Sequence, residues 1–130
     1  PPVIFGDGSH TRDFLYVKEC AEALTLLADA DALIGEVVNL GFGEQVRIGT
    51  LARLVLEVMG RTDLAPIHEA PRPADVPKLW VDTAKLKETI TFRPRVTLRE
   101  GIQSTIEYFS RLYRENPLAL AQITTKNWEL

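Results

Sequence analysis

Between residues 6 and 17 the chain reads GDGSHTRDFLYV, and its first half cannot continue a helix or a strand. Gly6 and Gly8 flank a short Asp, a composition that favours tight reversal, because glycine accepts positive φ and the Asp7 side chain can bond nearby backbone amides. Arg12 and Asp13 follow the reversal and precede the apolar run Phe14-Leu15-Tyr16-Val17. Arg12 is thereby held at a fixed point just past a turn. Its planar guanidinium has two uses there. It can clamp a phosphate or carboxylate through two parallel charge-assisted bonds, or it can pair internally with Asp7 or Asp13. Spacing alone favours the internal pair.

The remaining composition narrows the class. One hundred and thirty residues suffice for one domain that buries about two-thirds of its unfolded surface. Fifteen Lys and Arg against 18 Asp and Glu give a net charge of −3 with the signs interspersed, so no basic stripe marks a nucleic-acid surface. No apolar run approaches the ~20 residues of a membrane span, and no signal peptide is visible. Cys20 is the only cysteine, which excludes an internal disulfide and fits a reducing cytoplasm. It falls on the apolar face of a predicted helix and reads as core. The chain begins Pro1-Pro2 without methionine, from which we expect missing sequence upstream.

Taken in order, Val3-Ile4-Phe5 reads as a short strand, and pairing it with residues 13–16 across the glycine turn would make a hairpin. From Val17 the spacing of Val17, Cys20, Ala21, Leu24, Leu27 and Ala28 predicts a helix to about Ala30, with Lys18, Glu19, Glu22 and Asp29 on its wet face. Gly35 breaks it. Glu36 to Leu40 reads as a strand closed by Gly41-Phe42-Gly43. A second helix runs from about Ile48 to Met59, with Leu51, Leu54, Val55 and Val58 aligned, and stops at Gly60. Arg47 is a poor cap for it, and Thr50 would cap a shorter version. Pro66 to Ala70 is a weak strand. Pro71-Arg72-Pro73-Ala74-Asp75-Val76-Pro77 is a stiff irregular loop. Asp82 caps a short helix to about Thr89. Thr97 and Glu100 have capping-box spacing for a long helix in which Ile102, Thr105, Ile106, Phe109, Leu112 and Tyr113 share a face, ended by Asn116-Pro117. Helices alternating with short strands predict an α/β fold, with α+β as the variant, in a lobe at 1–115 followed by a tail at 116–130.

The chemistry is that of binding. There is no dinucleotide fingerprint and no P-loop. Gly41-Phe42-Gly43 lacks a third glycine and precedes its helix by several residues. His10 and His68 lack partners at metal-ligand spacing; His10 reads as solvated in a polar turn and His68 as a surface pair with Glu69. Ser9, Ser104 and Ser110 have no nucleophile-elbow context. Two readings of the remainder stand side by side. In one, Arg12 and Arg72 neutralise a diphosphate, Asp75 accepts from a ribose diol and Phe5 holds a flat base. In the other, Arg72 and Asp75 pair across their loop and Phe5 packs in the core.

GDGSHTRDFLYV, VVNLGFGEQVRI, PRPADVPKLWVDTAKL and FRPRVTLREGIQSTIEYF resemble, in this order, four signatures from the C-terminal part of the extended short-chain dehydrogenase/reductases, the NAD-dependent nucleotide-sugar epimerase/dehydratase family. The resemblance covers residues 1 to about 110. It implies a substrate lobe in which Arg12 and Arg72 contact the diphosphate of a UDP- or dTDP-sugar, Asp75 binds ribose hydroxyls, and Val3 and Phe5 lie along the base. Lys18, Arg47 and Thr91 depart from the family pattern; Thr91 stands where Gly commonly ends the short helix, so that helix is expected to end differently. The family's cofactor loop and Tyr-x-x-x-Lys pair belong to a preceding Rossmann domain, and none of Tyr16, Tyr108 and Tyr113 has a Lys four residues on.

The resemblance therefore implies a cytoplasmic lobe that binds a nucleotide-diphosphate sugar and is inert alone, with NAD and catalysis supplied by the missing domain of a full-length epimerase or 4,6-dehydratase. The rival expectation is a stand-alone module that self-associates through the face such a domain would cover, giving a homo-oligomer.

Overall fold

Positive φ at Gly6 and Gly8 turns the chain between two short strands, β1 (Val3–Phe5) and β2 (Thr11–Arg12), in the computed structural model, which describes residues 1–120. The two strands do not pair with each other, which corrects the expected hairpin. β1 instead runs parallel to β4 (Ile67–Glu69), with Val3 opposite Ile67 and Phe5 opposite Glu69. β2 runs antiparallel to β3 (Val46–Arg47). The turn is claimed by a helix: α2 (Ile48–Val58) directs the Ile48 and Gly49 amides to the carbonyls of His10 and Gly8, each at 2.9 Å. Those bonds replace the side-chain cap that Arg47 does not provide, so α2 starts at Ile48 and needs no cap at Thr50. A Cβ on Gly8 would press against Gly49, so this approach requires glycine.

Helix α2 ends as its sequence indicates. Gly60 has φ 66°, its amide donates to Glu57 O, and the Arg61 amide donates to Leu56 O, the paired bonds of a Schellman end. Helix α1 spans Val17–Ala28, but its inward face is not the expected one. Ala23 and Glu19 are buried, Cys20 and Leu27 half-buried, while Val17, Ala21, Leu24 and Ala28 are exposed. Glu19, assigned to the wet face, is only 5% exposed because its Oε1 accepts from the amides of Arg95 and Val96, at 2.6 and 3.1 Å. Its Oε2 is buried with no hydrogen-bond partner among the described residues.

Residues 36–40 form no strand, although alternation survives in them: Val38 and Leu40 pack inward while Val37 and Asn39 face out. Their polar links go to side chains and loops rather than to a ladder, with Lys85 Nζ donating to Val37 O and to Glu36. Helix α3 (Ala84–Thr89) follows Asp82, whose Oδ1 accepts from the Ala84 amide at 2.8 Å. It ends at Ile90 in extended backbone, with no positive φ at Thr91. Helix α4 (Leu98–Glu115) carries both halves of the capping box between Thr97 and Glu100 and stops at Asn116.

Four helices and four short strands in two small sheets make the described residues an α/β fold. One core centre joins Ala23, Leu86 and Phe92, with Leu15, Leu27, Val38, Leu40 and Ile90 against it. Ile4, Ala52 and Leu56 are buried elsewhere, under β1 and α2. No residue of α4 is buried, and its apolar side helps to line an open groove of about 530 Å³ with Phe14–Val17, Leu51 and Val55. No helix among the described residues is long and apolar enough to cross a membrane. A 3₁₀ turn at Pro117–Leu120 follows α4, and the rest of the expected tail, 121–130, lies outside the described residues.

Candidate functional site

Thr11 builds the site. Buried in β2, it receives the loop that follows the prolines: its amide donates to Pro77 O at 2.9 Å, its carbonyl accepts from the Leu79 amide at 3.1 Å, and its hydroxyl bonds Gln45 at 2.8 Å. The two backbone bonds clasp Lys78 from either side. Arg12, next in sequence, is thereby set against the residues just before Pro77.

There Arg12 Nη1 donates to the carbonyls of Val76 and Thr11, both at 2.8 Å, and Nη2 donates to Asp75 Oδ1 at 2.5 Å. Asp75 also faces the Arg72 guanidinium and the His10 ring. Arg72 Nε lies 3.8 Å and His10 Nε2 4.0 Å from its Oδ2. The side chains of His10, Arg12 and Asp75 are 17%, 24% and 16% exposed, and that of Arg72 is 46% exposed. The Arg72 guanidinium carbon also sits 5.5 Å from the centre of the Phe5 ring, a cation–π distance.

The structure therefore brings together Phe5, Arg12, Arg72 and Asp75. Arg12 does pair internally, but with Asp75 rather than Asp7 or Asp13. Asp7 is engaged by the Ser9 amide and hydroxyl at 2.9 and 2.6 Å, and these bonds, the hydroxyl's first, hold its carboxyl below the usual range. Asp13 accepts from the amides of Phe42 and Gly43 at 2.9 Å and from Val81 at 3.5 Å. Phe5 is half-buried, with Arg72 over its ring rather than closed into the core. Val3 lies at the far end of β1 and is 43% exposed.

His10 corrects an expectation: it is not solvated. Its ring covers Gly6, where a Cβ would clash with it, and turns toward Asp75. His68 is exposed, and its Nδ1 donates to Gly6 O at 2.7 Å. Sequence reasoning also missed Thr11 and Asp13, whose hydrogen-bond partners lie 29 to 68 residues away.

The amides opening α2 are spent on His10 and Gly8, and those of Phe42 and Gly43 are spent on the Asp13 carboxylate. No group of His, Cys, Asp and Glu among the described residues is arranged to hold a metal ion.

Residues 1–105 match the family model described as GDP-mannose 4,6 dehydratase. A Bacillus subtilis protein described as an uncharacterized UDP-glucose epimerase, YtcB, is 34% identical over 115 residues, covering 88% of this chain and 36% of that protein. UDP-glucose 4-epimerase of Mycolicibacterium smegmatis is 33% identical over 106 residues, 82% of this chain and 33% of that one. Among solved structures, UDP-glucose 4-epimerase of Thermotoga maritima with UDP-glucose superposes with a TM-score of 0.77 at 36% identity, over 85% of this chain and 35% of that chain. UDP-glucuronic acid 4-epimerase of Bacillus cereus, in complex with UDP-glucuronic acid and NAD, superposes with a TM-score of 0.78 at 29% identity, over 86% and 36%. The chain belongs to the NAD-dependent nucleotide-sugar epimerase/dehydratase family, the extended short-chain dehydrogenase/reductases, and corresponds to its C-terminal part. It spans about a third of the length of the curated relatives it matches.

Proposed function

We propose that this chain binds the nucleoside diphosphate part of a nucleotide sugar, a UDP- or dTDP-sugar, and performs no chemistry by itself. The observation that carries the reading is the meeting of Arg12, Arg72 and Asp75, 63 and 3 residues apart in sequence, on one half-exposed surface beside Phe5. Two guanidinium groups offer paired donors to phosphate oxygens, and a carboxylate between them offers an acceptor for ribose hydroxyls. Val3 and Phe5, on a strand whose other edge pairs with β4, would lie along the base. In this reading NAD, and the oxidation at the sugar C4 that it supports, belong to the remaining length that the relatives possess, as part of a cytoplasmic epimerase or 4,6-dehydratase. The apolar groove along α4 then receives the cofactor-binding domain.

Calorimetric titration tests this. UDP and dTDP should bind weakly and NAD not at all, and Arg72→Ala should abolish nucleotide binding. Turnover of a UDP-sugar by the purified chain alone would contradict the proposal.

A second reading is favoured by one observation, the exposure of Phe109 and Tyr113 along α4 beside the groove. On that reading the face joins two copies of the chain and the module self-associates.

A further inference from the structure

We propose that Asp75 is a specificity filter, a built-in competitor that makes bare phosphates displace it from the arginines while repaying ligands that bring a diol. The proposal rests on the reading of Arg12 and Arg72 as the phosphate-binding groups. In the free chain the anion on those arginines is internal: Oδ1 takes Arg12, and Oδ2 faces Arg72 at 3.8 Å and His10 at 4.0 Å. One carboxylate thus stands where a phosphate would, with both oxygens turned to cations. A diphosphate cannot take both guanidinium forks while Asp75 keeps them, because two anions sharing the same cations repel at such distances.

The loop backbone is bent to this arrangement. Ala74 has φ 56°, the only positive φ at a non-glycine position among the described residues. An alanine held in the left-handed region is strained, and such strain persists where the surroundings over-determine it, commonly at ligand clamps. Here it follows exposed prolines and turns the next side chain back to 16% exposure against Arg12.

Displacement has different consequences for different ligands. A polyphosphate without a sugar takes the arginines and leaves Asp75 a neighbouring negative charge with nothing to accept. A nucleoside diphosphate places hydroxyls beside the released carboxylate, and each hydroxyl donates to it. The same residue therefore penalises the first ligand and rewards the second, which is discrimination by a repulsive element as well as an attractive one.

Calorimetry with inorganic pyrophosphate and with UDP, on wild type and Asp75→Asn, tests the filter. The variant should bind pyrophosphate about five-fold tighter, the factor expected for removing one like charge at about 4 Å in water. Its UDP affinity should rise less or fall, so that the ratio of UDP to pyrophosphate affinity drops. Asp75→Ala should gain likewise for pyrophosphate, and Glu44→Gln, the same charge change at an exposed position of another loop, should gain clearly less. Pyrophosphate affinity unchanged or weakened in both Asp75 variants, or a gain matched by Glu44→Gln, overturns the filter while leaving the arginine reading standing. Failure of both UDP and pyrophosphate to bind wild type and variants alike overturns the arginine reading and the filter with it.

Discussion

Three backbone amides, from Phe42, Gly43 and Val81, converge on the Asp13 carboxylate, and Gly41 lets it in because a Cβ there would collide with Asp13 and Val81. Asp13 therefore ties the end of β2 to two distant loops, while its neighbour Arg12 reaches the site. Asp13→Ala should lower the unfolding free energy by about 2–3 kcal/mol, the cost of leaving partly buried amides without an acceptor. Urea unfolding measures it, and an unchanged midpoint would contradict this role. The Arg-Asp pair was legible as a fixed charged unit. What each side chain touches was not, because Ser9 and three loop amides had already taken the nearby carboxylates. Arg12 pairs instead with the distant Asp75.

At the scale of elements, local signals were read best. Thr97 and Glu100 are three residues apart, and both bonds of their capping box form: the Thr97 hydroxyl accepts from the Glu100 amide, and Glu100 Oε2 accepts from the Thr97 amide at 2.8 Å. Thr97→Ala should cost about 1 kcal/mol, read as a lower thermal midpoint. The Thr97 hydroxyl, then its amide, hold the Glu100 carboxyl below its ordinary value of 4.5, and Lys85 does the same for Glu36. A lowered carboxyl binds fewer protons folded than unfolded. Its contribution is therefore complete above pH 4.5 and is lost as pH falls through the lowered value. Stability should decline along that acid limb, and Glu100→Gln should flatten the decline; an identical slope in the variant would contradict it. Signals that depend on distant partners were read worst. The periodicity of α1 placed Glu19 in water, yet the amides of Arg95 and Val96, 76 and 77 residues on, draw it inside. The alternation at 36–40 predicted a strand, but no ladder edge lies against it among the described residues.

For the whole molecule, the α/β class and the order of helices followed from spacing, whereas the pairing of strands did not. β1 and β4 are joined across more than sixty residues, and no local signal in two three-residue strands specifies such a partner. Apolar surface also remains exposed on α4 and at Val17, and the half-buried Phe14–Tyr16 line the same groove. If that face joins two copies, sedimentation velocity should show a species heavier than a monomer that Phe109→Glu disperses; a concentration-independent monomer would leave the self-association reading without support. The proposed anion site lies on a different set of elements, β1, β2 and the proline loop. Mapping amide and guanidinium NMR shifts of the chain during titration with UDP tests that assignment most directly. The account predicts saturable shifts at Val3–Phe5, His10–Arg12 and Arg72–Asp75, lost in Arg12→Ala; shifts confined to the α4 groove, or none at all, would contradict it.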